Sequence, residues 1–163
     1  MKDGLPPGIE MVAADNFESW LMDIQVLDDN PIYKGQTYRL KFVFSMSYPI
    51  GMVYRFCLIF KLSHVLTEAL FLAAEAPEVT FVLDGGRNIP MHPHIYSNGI
   101  ICLDLLDKSG WSPVHNVESV CMSLQSMLAS NDKNERPPGD ADFVRMNRQR
   151  PRDINFYFHD DQV

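Results

Sequence analysis

An α+β domain, a sheet covered by helices, follows from three observations. Three segments alternate apolar and polar residues with period two. A later segment repeats its apolar residues at helical spacing. The strand-like segments all precede the helical ones.

In the first alternating segment Trp20, Met22, Ile24 and Val26 share a face. In the second, Tyr38, Leu40, Phe42 and Phe44 do so, with Arg39 and Lys41 on the other side. In the third, Val79, Phe81 and Leu83 alternate with Thr80 and Val82. Such patterning predicts half-buried antiparallel strands. Gly8 to Ala14 adds a weaker candidate ahead of them, and Asp28-Asp29-Asn30-Pro31 with Lys34-Gly35 provides turn chemistry between the first two. From Val117 to about Leu128, the residues Val117, Val120, Cys121, Leu124, Met127 and Leu128 form one helical stripe. Asn116 is placed to cap that helix, and Pro113 keeps it from starting earlier. Asn131 to Asp142 reads as a loop, and a shorter helix is predicted from about Ala141 to Arg148. The tail 150–163 turns aromatic and then acidic at Phe156-Tyr157-Phe158-His159-Asp160-Asp161.

A length of 163 residues suits a single domain, 1–163, with a real core. The net charge of −7 argues against phosphate-driven nucleic-acid binding, which needs a basic surface. Three cysteines, Cys57, Cys102 and Cys121, are too few for a disulfide framework and point to a reducing compartment, cytoplasmic or nuclear. Met1 to Met11 carries Asp3, Glu10 and two prolines where the apolar region of a signal peptide would sit.

Residues 51–74 break the pattern. The segment is rich in Leu, Phe, Val and Ala, yet Arg55, Lys61, His64 and Glu68 interrupt it, so no charge-free run spans a bilayer and no membrane partner is expected. With the segment removed, Ile50 would join Glu75 in a short connection between strands. We read it as an insert, a translated intron: Gly51-Met52 can be encoded with GTATG, Leu66-Thr67 as CTAAC, and Ala74-Glu75 with a closing AG. A genomic sequence with no GT…AG pair around these codons would sink that reading.

Chemistry concentrates in His92-Pro93-His94-Ile95-Tyr96-Ser97-Asn98-Gly99-Ile100-Ile101-Cys102-Leu103-Asp104, followed by Trp111-Ser112-Pro113. Read by residue type alone, His92, His94 and Cys102 fit part of a zinc set, with His115 or Cys121 as a fourth ligand. Cys121 lies on the apolar helical stripe, which favours a core role and hence no metal. A Cys–His hydrolase is a further alternative, although no orienting Asn or Asp can be picked out.

The ordered set His-Pro-x, Tyr-Ser-Asn-Gly, Ile-Cys-Leu-Asp and Trp-Ser-Pro before a helix resembles the ubiquitin-conjugating enzymes, as do Tyr48-Pro49 and Ala76-Pro77-Glu78-Val79 upstream. The resemblance runs from about Pro6 to the end, apart from the insert. It implies that Cys102 takes ubiquitin as a thioester from the activating enzyme, which is where ATP is used, so this chain needs no cofactor. It also implies RING-type ubiquitin ligases as partners, received on two loops at Tyr48-Pro49-Ile50 and Trp111-Ser112-Pro113, and protein substrates as acceptors. The family has Asn where this chain has His94. That change, the loop Arg136-Pro137-Pro138 and the aromatic-acidic tail are similar to the W-type members, which modify N-terminal α-amines rather than lysines. In this setting His94 either donates a hydrogen bond to the oxyanion or holds its loop. His92 is expected to brace the loop, and Asn98 with Gly99 to make the turn before Cys102.

The family begins with an amphipathic helix that docks the activating enzyme, whereas Met1-Lys2-Asp3-Gly4-Leu5-Pro6-Pro7 matches the stretch where that helix has just ended. The expected architecture is therefore an antiparallel four-stranded sheet packed against helices, with the first helix missing. The absent helix and the insert leave a second reading open: a catalytically impaired variant that only binds ubiquitin or ligases.

Overall fold

The computed structural model describes residues 4–14, 18–45, 76–107, 110–112, 114–154 and 156. Four strands form one antiparallel sheet in chain order: β1 (Ile9–Ala13), β2 (Ser19–Gln25), β3 (Thr37–Val43) and β4 (Glu78–Phe81). Among the described residues two helices follow, α1 (Val117–Ala129) and α2 (Asp140–Met146), with short 3₁₀ turns at Asp104–Leu106 and Pro151–Asp153. The segment 51–74, the residues Tyr48, Pro49, Ile50 and Pro113, and the tail from Tyr157 onward lie outside the described residues.

Alternation sets the sheet's inner face. Met22, Ile24, Tyr38, Leu40, Phe42, Val79 and Phe81 are buried in one core with Val120, Cys121, Leu124 and Leu128 of α1. Leu83 departs from the expected pattern. The strand ends at Phe81, and Leu83 lies two residues beyond it, 72% exposed. The outer face is also not wholly open. Asp23 pairs directly with Arg39 across β2 and β3 and is buried, because Arg39 and Arg87 both cover its carboxylate, at 2.7 and 3.0 Å. Arg39 also reaches Asp84 at 2.8 Å, so the turn after β4 is tied back onto the sheet.

α1 begins at a full capping box: the Asn116 side chain accepts the Ser119 amide, and the Ser119 hydroxyl accepts the Asn116 amide. At its other end the Asn30 side-chain amide donates to the carbonyls of Ala129 and Asn131 at 3.0 and 2.8 Å. This satisfies carbonyls that a helix terminus leaves without helical partners. The Gln125 side chain donates to the carbonyls of Gln25 and Pro7, which fastens the middle of the helix to the end of β2 and the β1 approach. Among the described residues no helix is long and apolar enough to cross a membrane.

Candidate active site

The segment His92–Cys102 folds as a small hairpin against β4. Ile95 and Ile101 oppose each other and are buried, Tyr96 donates its amide to Ile100, and Gly99 donates to Tyr96. The Cys102 amide then donates to the His94 carbonyl at 2.8 Å. That backbone bond sets His94 and Cys102 opposite each other across the hairpin, and both are half-buried. The candidate nucleophile is thus tied through its backbone to His94, the histidine singled out in the sequence.

Each end of the hairpin is pinned. At the tip, Asn98 is exposed and its side chain accepts the Ile100 amide at 3.2 Å. Gly99 has φ +86° and its carbonyl accepts the Phe81 amide at 2.9 Å, so the tip lies hard against β4. At the base, His92 is buried and its Nδ1 accepts the His94 amide at 2.9 Å. The neutral ring therefore carries its proton on Nε2. Burial lowers the His92 pKa to about 4, the nearby His94 adds to this, and a hydrogen bond to the Met127 backbone opposes it. Arg136 holds the approach, donating to the carbonyls of Ile89, Pro90 and Ile95.

A pH dependence follows. His92 binds its proton more weakly when folded, so its contribution is fully present above the unfolded value near 6.5 and is lost as pH falls toward 4. That loss is on the order of 3 kcal/mol. Urea unfolding at several pH values between 7 and 4 is expected to show it, and His92→Gln is expected to flatten that part of the profile.

Tyr96, two residues past His94, is half-buried. Burial raises its hydroxyl pKa, followed by the charges of Cys102 and Asp140, so the ring keeps its proton near the thiol. A cleft of about 330 Å³ opens beside His92, Pro93 and His94, with Met127 and Ser130 of the α1 end on its far side. Trp111 lies in the loop before α1 and is buried against the core, with its ring 5.6 Å from His115. The stretch exposes Val114, with Ser112 half-buried. Cys121, weighed as a zinc ligand, faces the core, where burial pushes its thiol up to about 12. Among the described residues no three His, Cys, Asp or Glu side chains converge as a metal site. Sequence reasoning singled out neither Arg136 as a clamp nor the aromatic neighbours of Tyr96. The carbonyl targets of Arg136 lie more than forty residues away in sequence, beyond any local pattern.

A model described as ubiquitin-conjugating enzyme matches residues 71–158, more than half of the chain. The chain is 34% identical over 164 residues to a Dictyostelium discoideum protein named probable ubiquitin-conjugating enzyme E2 W, covering 100% of this chain and 90% of that one. It is 32% identical over 166 residues to the Caenorhabditis elegans ubiquitin-conjugating enzyme E2 W, covering 100% and 90%. The crystal structure of the ubiquitin-conjugating enzyme E2 UbcA1 from Agrocybe aegerita superposes with a TM-score of 0.72 at 39% identity, covering 92% of this chain and 88% of that one.

Proposed function

Because the chain belongs to the ubiquitin-conjugating enzymes, a family of transferases whose fold implies ubiquitin, activating-enzyme and ligase partners, we propose that Cys102 carries ubiquitin as a thioester and delivers it to substrate N-terminal α-amines. The delivery works with RING-type ligases, in the cytoplasm or nucleus. One observation carries the reading: a half-buried thiol whose amide is bonded to the His94 carbonyl, on a hairpin tied at both ends.

In the first step the Cys102 thiolate attacks the carbonyl carbon of the ubiquitin thioester on the activating enzyme. A new C–S bond forms and the activating enzyme's thiolate leaves. One thioester replaces another, so ATP is used only upstream. In the second step an uncharged amine attacks the Cys102 thioester, and the oxyanion that develops needs a donor beside it. The His94 carbonyl accepts from Cys102 and its amide is given to His92 Nδ1, so the donor in this reading is the His94 imidazole N–H. The C–S bond then breaks, the amide forms, Cys102 departs as thiolate and the amine's surplus proton passes to water.

Acceptor choice has a physical basis. An α-amine titrates near 7.7–8.0 and a lysine near 10.4, so about a tenth of α-amines but well under about a thousandth of lysines are uncharged at pH 7. A site with no strong base for stripping a lysine's proton favours N-termini, which agrees with the W-type resemblance at His94.

The test uses the full chain with activating enzyme, ATP and ubiquitin. A reductant-sensitive adduct is expected, absent in Cys102→Ala. The charged protein is then offered one peptide with a free N-terminus and no lysine, and another with an acetylated N-terminus and one lysine. Discharge to the first is expected to be faster by roughly tenfold or more, in line with the difference in uncharged amine. Equal rates would sink the acceptor preference. Absence of any adduct would sink the thioester reading and favour the binding-only variant.

A further inference from the structure

α2 has no buried residue, and a seven-residue helix is not stable on its own. It is nevertheless in close contact with the active-site hairpin through consecutive residues of the tip. The Phe143 ring stacks on Tyr96 with centroids 3.8 Å apart and planes 26° from parallel. The Asp140 carboxylate accepts the amide of Ser97 at 2.7 Å. Phe156, past the last 3₁₀ turn, completes the cluster at 6.2 Å from Tyr96 and 6.4 Å from Phe143. None of these aromatic contacts is needed to fill the main core, which lies across the sheet under α1.

Through Tyr96 the cluster reaches the thiol. Tyr96 and Cys102 are linked by two short backbone steps: the Tyr96 amide donates to Ile100 at 2.9 Å, and Ile101 pairs with Ile95. A shift of the Tyr96 ring therefore displaces the strand pair that sets the relation of Cys102 to His94. We propose that Phe143, supported by Asp140, is a positioning residue for the transfer step, holding Tyr96 and the hairpin tip so that the Cys102 thioester and His94 keep a productive relation. The inference rests on the thioester reading and deepens it: α2 becomes the part of the molecule that sets the transfer rate without forming the core. Because Phe143 acts through Tyr96, its loss lowers the rate at saturating amine and leaves the amine concentration for half-maximal rate unchanged.

The experiment compares Phe143→Ala, Phe143→Tyr and Asp140→Ala with the unaltered full chain. Single-turnover discharge of the ubiquitin thioester is followed over a range of peptide α-amine concentrations. Phe143→Ala is expected to slow the maximal rate roughly five- to tenfold, as a small misplacement of reacting groups does, with a KM within about twofold. Phe143→Tyr, which keeps the stack, is expected to return the rate to within about twofold. Thermal unfolding is recorded alongside, and both Phe143 variants are expected to stay folded at the assay temperature. An unchanged maximal rate in Phe143→Ala, a change confined to KM, or a loss that Phe143→Tyr does not restore would overturn the proposal. Amide exchange at Gly99 and Cys102 is measured without ubiquitin and is expected to quicken at least about threefold in Phe143→Ala, as local opening becomes easier. If the unaltered chain forms no adduct, the thioester reading fails on that result, while unchanged exchange fails the positioning role independently.

Discussion

Gly99→Ala is expected to cost the protein its fold, by more than about 4 kcal/mol, the range reserved for severe steric or backbone conflicts. A Cβ built on Gly99 falls within the van der Waals envelope of the Phe81 carbonyl oxygen and lies 2.9 Å from its carbonyl carbon. Both are backbone atoms of β4, so no side chain can swing aside to make room. The residue also sits at φ +86°, where an L side chain is strained before any contact is counted. Relief requires the hairpin tip to leave β4 and give up the Phe81 amide bond. Urea denaturation followed by tryptophan fluorescence checks this, with Asn98→Ala as the neighbouring control. Asn98 is exposed and gives one side-chain hydrogen bond, so its removal is expected to cost about 1 kcal/mol. Similar losses at the two positions would refute the steric argument.

Asp23→Ala is the second large effect, expected at about 3–5 kcal/mol. Burial alone would raise the Asp23 pKa, but the hydrogen bonds and charges of Arg39 and Arg87 outweigh it and leave the carboxyl below its ordinary value. The carboxylate is thus the shared counter-ion of two guanidiniums, one of them nearly as enclosed as itself. Removing it leaves the half-buried Arg39 paired, among the described residues, with Asp84 at the solvent edge. A depressed carboxylate gives stability that is present above its unfolded pKa near 3.9 and lost as pH falls through the lower folded value. The unaltered protein should therefore lose this part of its stability only below about pH 4, whereas Asp23→Ala is expected to lack it at every pH. Denaturation midpoints measured at pH 7 and pH 3 decide the matter, since the gap between the two proteins should narrow at the lower pH. A gap that stays constant would mean that packing, not charge, accounts for the loss.

The two residues differ in how far the sequence announces them. Gly99 belongs to an Asn-Gly pair three residues before Cys102, and that pair marks a turn by its residue types alone. Asp23 stands on the polar side of an alternating strand and reads as solvent-facing. Its burial depends on Arg87, sixty-four residues away in the chain, and strand periodicity says only which face a residue takes. The same division runs through the rest. α1 is legible because its stripe, its Asn116 cap and its length are all local, and it spans Val117–Ala129 against an expected Val117 to about Leu128. Leu83 continues the alternation in sequence, but pairing between β3 and β4 has already ended at Phe81. Cys102 is legible through its motif; the stack of Phe143 on Tyr96 is not, because a single aromatic on a short polar helix carries no period.

Cys121 adds a consequence of a different kind. At neutral pH a thiol with a pKa of about 12 is ionised in only about one molecule in a hundred thousand, and thiolate is the form that reacts with electrophiles. Its side chain is also closed in between α1 and the sheet. In synthetic terms, the packing of α1 serves as a protecting group: of the two cysteines among the described residues it masks Cys121, while Cys102 stays partly open. Burial alone thus separates two thiols of one chain in reactivity, the enclosed one masked and the half-buried one left within reach of an electrophile.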